Sequence, residues 1–156
     1  MSQPPRKPGH AALRKGRTSL AGGIYLITAS TMGRARVFDD FPVACIAARC
    51  FEDSSVLGAN RMLAWVLMPD HVHWVLRLGI GEQLASSVGR LKSASSRRVN
   101  ACLGRQGPLW APAFHEHALR REDDLRAIAR YVVANPLRAG LVRRVGDYPF
   151  WNAIWL

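Results

Sequence analysis

A chain of 156 residues with 49% hydrophobic side chains carries enough apolar material for one domain with a real core, which excludes a disordered basic tail. Its 22 Lys and Arg against 11 Asp and Glu give a net charge of +11 and a pI near 11.0, so the expected partner is polyanionic: nucleic acid or an anionic membrane surface. Three cysteines without a CxxC pair, no signal-like leader and no run near the ~18 apolar residues of a membrane span predict a reduced, cytoplasmic protein that stays off the membrane.

Residues 1–20 carry Arg6, Lys7, Arg14, Lys15 and Arg17 without an acid, together with three prolines, and read as a flexible basic arm ahead of a domain over 21–156. GGIYLITAS (22–30) alternates as a strand, and TMGRARVF after it is a turn bearing Arg34 and Arg36. Asp39 or Asp40 caps a predicted helix that runs through FPVACIAARCFEDSSVLG, with Pro42 tolerated in its first turn and Gly58 near its end. NRMLAWVLM (60–68) and HVHWVLRL (71–78) are predicted strands joined by a tight Pro69-Asp70 turn.

After GIG, residues 82–104 form a helix in which Leu84, Val88, Leu91 and Val99 mark the apolar stripe and Arg90, Lys92, Arg97 and Arg98 occupy the remaining face. LWAPAFHEHALR is extended and interrupted by Pro112, as suits an edge strand. Residues 121–135 make a last helix with acids in its first turn, stopped at Asn135-Pro136, and the aromatic tail is expected to pack back on the domain. The order β-α-β-β-α-β-α describes an α+β sandwich with helices over one face of a mainly antiparallel sheet.

Within MPDHVHWVLRL, strand alternation sends His71 and His73 to one side and Val72 to the other. Two neutral imidazoles on a rigid strand can hold one divalent cation and leave positions for water and substrate; equally, they can be half-buried histidines with satisfied hydrogen bonds. A second pair, His115-Glu116-His117, has a charged centre and is peripheral, with His117 a possible neighbour of the site.

A metal beside a phosphodiester needs a nucleophile. Tyr25 and Tyr148 lie in apolar or aromatic surroundings and read as packing residues. Tyr131 falls about 110° from the centre of its helix's apolar stripe, and Asn135, four residues on, shares its face. The amide oxygen of Asn135 is a reasonable third ligand for a hard cation, while a boundary aromatic and a helix-end asparagine is the plainer account of the same two residues.

MPDHVHWVL, GPLWAPAFHEHALR and RYVVANPLRAGLV together resemble the REP-associated tyrosine transposases, a branch of the single-tyrosine HUH transposases and nucleases. The resemblance covers roughly residues 22–150, and NPLRAGLV is its most particular signature. It implies a ferredoxin-like α+β domain with a C-terminal helix carrying the tyrosine, with His71 and His73 as metal ligands, Asn135 as the third, and Tyr131 as nucleophile. The implied reaction is attack of Tyr131 on single-stranded or hairpin DNA, assisted by Mg2+ or Mn2+, through a 5′-phosphotyrosine intermediate. Arg90, Lys92, Arg97, Arg98, Arg34 and Arg36 are the candidate phosphate contacts, and Trp110 or Phe114 candidate stacking platforms for bases.

The turn reads Pro69-Asp70 where many relatives have Pro-Asn, a change expected to be harmless. The chain ends at Leu156, so no longer DNA-binding tail is expected. A monomer is expected, with a dimer that exchanges the tyrosine helix as the other arrangement. The competing function is a domesticated protein that grips hairpin DNA or RNA without cleaving it.

Overall fold

Val72, Trp74 and Leu76 are fully buried along one side of the third strand, while His71 and His73 alternate with them towards the other side. The computed structural model describes residues 22–120 and 123–156; the basic arm over 1–20 and the first two residues of the last predicted helix lie outside the described residues. Five strands, β1 (Ile24–Ser30), β2 (Arg61–Leu67), β3 (His71–Arg77), β4 (His115–Leu119) and β5 (Trp151–Ala153), form one sheet in the order β4-β1-β3-β2-β5. Every neighbouring pair is antiparallel. The first four strands have the split βαβ arrangement of a ferredoxin-like domain.

The helices are α1 (Phe41–Cys50), α2 (Ser54–Leu57), α3 (Leu84–Leu103), α4 (Leu125–Val133) and the single turn α5 (Asn135–Arg138). Asp40 caps α1 by accepting a hydrogen bond from the Val43 amide. The helix predicted over 41–58 is two pieces, because Asp53 accepts from the Ser55 amide and starts a new cap at the point where α1 has ended.

Two cores flank the sheet. Ile27, Phe51, Trp74, Val88, Leu91 and Leu109 belong to the one beneath α1 and α3. Leu63, Val66 and Val75 meet Ala129, Val132 and Val133 of α4 on the opposite face. This division follows from β2, whose residues Met62 to Leu67 are all buried: a strand without a solvated side needs cover on both faces. So α1 to α3 take one face, and the helix that carries Tyr131 packs on the side to which His71 and His73 point. β5, hydrogen-bonded to β2, is an edge strand that the aromatic tail did not announce. No helix among the described residues is long and apolar enough to cross a membrane.

Candidate active site

The register of β3 with β1 pairs His71 with Ser30 and His73 with Thr28, and the two imidazole rings stand 4.9 Å apart at 86°. His71 donates its Nδ1 proton to the Asp70 carboxylate at 2.7 Å, and His73 Nδ1 meets the Thr28 hydroxyl at 2.8 Å. With Nδ1 of each ring engaged, Nε2 is the nitrogen left to face the site, the arrangement that orients imidazoles for metal binding.

Asp70 is itself fixed from several sides. Arg34 Nε donates to its second carboxylate oxygen at 3.1 Å, Arg34 also reaches the Ser30 hydroxyl, and the buried Thr31 donates through its amide and hydroxyl to the Asp70 carbonyl. Burial pushes the Asp70 carboxyl up, but the His71 hydrogen bond and the Arg34 charge outweigh it and bring the group below its ordinary range. Arg34 has φ 57°, a left-handed conformation that costs a non-glycine residue about 1 kcal/mol or more, offset here by its bonds to Asp70 and Ser30.

Burial, then the positive fields of His71, Arg138 and Arg34, push His73 down to about 4 from 6.5, so it stays neutral at physiological pH. Between those values the unfolded chain binds a proton that the folded chain refuses, so stability falls as pH drops through that window, by up to about 3 kcal/mol. Urea midpoints at pH 7 and pH 4.5 should show this loss in the native chain, and a smaller one in His73→Asn.

Asp124 caps α4 through the amides of Arg126 and Ala127. The helix buries Ala129, Val132 and Val133 and leaves Tyr131 62% exposed. Asn135 donates its side-chain amide to the Val132 carbonyl at 2.8 Å, and its amide oxygen has no protein partner among the described residues. Arg138, absent from the sequence-derived candidates, places its guanidinium carbon 3.8 Å from the centre of the Tyr131 ring. The buried residues of α4 pack on the sheet face to which His73 points, which puts the helix carrying Tyr131 on the histidine side of the sheet. Positions 131, 135 and 138 are spaced i, i+4, i+7, a single helical stripe and the signal by which Arg138 could have been found.

The remaining candidates are dispersed. Thr28 pairs with His73 on one side and His115 on the other, so His115 lies in the same row as His73, while His117 lies one row further along with Leu26 and Val75. Arg34 is at the site and Arg36 pairs with Asp39. On α3, across the sheet from the imidazoles, Arg90 is bonded to Glu82 and to the carbonyls of Val56 and Leu57, and Arg98 to Asp53 and Cys50. Lys92 donates to the carbonyls of Ala111 and Ala113, and Arg97 is exposed beside a groove of about 470 Å³. Trp110 is 4% exposed and donates to Ser95, so it is a core residue and no platform for bases; Phe114 is half-buried under the Lys92 ammonium. Among the described residues no cluster of three His, Cys, Asp or Glu could hold a metal, so a third protein donor at the histidine pair would have to be of another type, such as an amide.

The family model described as "Transposase IS200 like" matches residues 24–135. The chain belongs to the IS200-like transposase family. Within that family it is 37% identical over 87 residues to the REP-associated tyrosine transposase of Escherichia coli K12, a match covering 56% of this chain and 50% of the relative. It is 28% identical over 98 residues to a candidate protein of the same kind from Haemophilus influenzae, covering 56% of each. The chain thus spans about half the length of these curated relatives. Its fold matches the structure of a REP-associated tyrosine transposase bound to a REP hairpin, with TM-score 0.66 and 25% identity over 86% of this chain and 79% of the other. The matched region takes in two of the stretches on which the resemblance rested, the His71 strand and GPLWAPAFHEHALR, and the first part of the third, from Arg130 to Asn135; the rest of NPLRAGLV lies beyond it.

Proposed function

We propose that this IS200-like chain is a strand transferase that cleaves and rejoins single-stranded or hairpin DNA through Tyr131. The observation that carries the reading is the oriented pair His71 and His73, each with Nδ1 engaged, on the sheet face that α4 covers. Support comes also from the hairpin held by the structural relative and from the basic charge of this chain.

The donor set suits a hard divalent cation: Nε2 of His71, Nε2 of His73 and the unpaired amide oxygen of Asn135 would hold Mg2+ or Mn2+. Bound there, the cation would polarise the phosphate and stabilise the departing oxygen. Tyr131 supplies the attacking oxygen: its Oη–P bond forms as the P–O3′ bond breaks, the phenolic proton leaves, and the freed 3′-oxygen takes one up. The reverse reaction, with a 3′-hydroxyl attacking the 5′-phosphotyrosine, rejoins strands and restores the phenol. The packing of α4 on the histidine face of its own sheet supports a tyrosine that acts in its own subunit, and with it a monomer.

Asp70 orients His71, so Asp70→Ala should weaken manganese binding by roughly 10–100-fold in calorimetric titration, with Asp70→Asn, which keeps an acceptor oxygen, losing less. The reaction itself is tested with labelled hairpin DNA and manganese on a denaturing gel. A covalent protein–DNA band that chelator removes is the expected result. Tight binding across a hairpin panel with no adduct would sink the transferase and leave a binding protein.

A further inference from the structure

Arg138 lies over the Tyr131 ring, its guanidinium carbon 3.8 Å from the ring centre, a separation at which a planar guanidinium packs by its face. Stacking uses the π-face of a guanidinium and leaves its N–H donors free in the plane. Other arginines near the sheet spend those donors on acids: Arg34 on Asp70, Arg36 on Asp39, Arg90 on Glu82 and Arg98 on Asp53. Arg138 has no hydrogen bond or ion pair to an acid among the described residues.

A cation stacked on a phenol, with no acid to pair it among the described residues, is favourable when an anion occupies the site. The position is built by the chain after Pro136: the Arg138 amide bonds the Ala134 carbonyl, so the helical path resumes for one turn and Arg138 returns to the face of Tyr131. Both side chains are exposed, which makes their contact a minor contributor to folding.

We propose that Arg138 joins nucleophile to substrate, its face fixing the Tyr131 ring and its edge binding the non-bridging oxygens of the phosphate that Tyr131 attacks. This rests on the strand-transferase reading for its second half only; the hold on the ring is a property of the free protein. An arginine so placed restricts an otherwise mobile exposed phenol to the rotamer aimed at the site. It also keeps phosphate and Tyr131 Oη in register through one rigid planar group. Lysine in its place keeps the charge and loses both the planar stack and the two-pronged edge.

The test uses the full chain carrying 3-fluorotyrosine, with the Tyr131 resonance assigned by its disappearance in Tyr131→Phe. Arg138→Ala and Arg138→Lys should melt as the native protein does, yet shift and sharpen the Tyr131 fluorine signal as the ring is released. In single-turnover reactions with hairpin DNA and manganese, adduct formation should slow by roughly 100-fold for Ala and about 10-fold for Lys, with hairpin affinity kept within about threefold. An unchanged fluorine signal in Arg138→Ala, or adduct formation at the native rate, overturns the proposal. If the native protein forms no adduct, the strand-transferase reading fails by itself, and the fluorine signal still decides whether Arg138 holds the ring.

Discussion

Tyr131→Phe is expected to abolish covalent attachment to DNA, by at least ~10⁴-fold, while folding and hairpin affinity stay as they are. The ring is 62% exposed, so loss of the hydroxyl should change stability by no more than about 0.5 kcal/mol. Phenylalanine also preserves a ring for Arg138 to stack on, which confines the change to the attacking oxygen. The other two tyrosines are poorly placed to take over. Tyr148 donates its hydroxyl to the Leu67 carbonyl, and burial pushes it up to about 12. Tyr25 packs against the core beneath α1 and α3, across the sheet from the imidazoles. An adduct that persists in Tyr131→Phe, mapped by mass spectrometry to another residue, would move the nucleophile off α4.

The histidine pair was legible because strand alternation is local: one apolar residue between two polar ones fixes which way all three point. Tyr131 and Asn135 were singled out by the same kind of reasoning, four residues being about one helical turn. Arg138 was not, because Pro136 reads as a stop; in the fold, Pro136 is tolerated near the start of a new turn that carries the helix face onward. The role of Asp70 was hidden in a different way. As a turn former it is interchangeable with asparagine, and its carboxylate acquires meaning through Arg34 and His71, which β1 and β3 bring together.

Charge was the least legible property. Arg90 and Arg98 look like a cationic face when α3 is drawn alone, yet Glu82 and Asp53 meet them from neighbouring segments. Periodicity reports which way a side chain points, and nothing in it reports which acid the fold will bring there. β5 escaped for a further reason: three residues, Trp151 to Ala153, are too short a run for alternation to stand out, and pairing with the already buried β2 is what makes them a strand.

Trp74→Ala is expected to cost about 3–5 kcal/mol, a large share of the roughly 5–15 kcal/mol that holds a domain of this size together. Trp74 is fully buried at the centre of β3, its ring meeting Phe51 at 5.3 Å and Trp110 at 6.0 Å. Its indole Nε1 is buried with no hydrogen-bond partner among the described residues, so Trp74→Phe orphans nothing and should cost only about 1–2 kcal/mol. Urea unfolding followed by far-ultraviolet circular dichroism separates the two, and a loss below about 1.5 kcal/mol for alanine would show that α1 and α3 can collapse into the space. The consequence for chemistry follows from alternation: Trp74 adjoins His73 but points the opposite way, towards α1 and α3. Below its melting temperature, then, Trp74→Ala should keep the cleavage rate of the native chain, and lose it only where the sheet that aims His71 and His73 gives way.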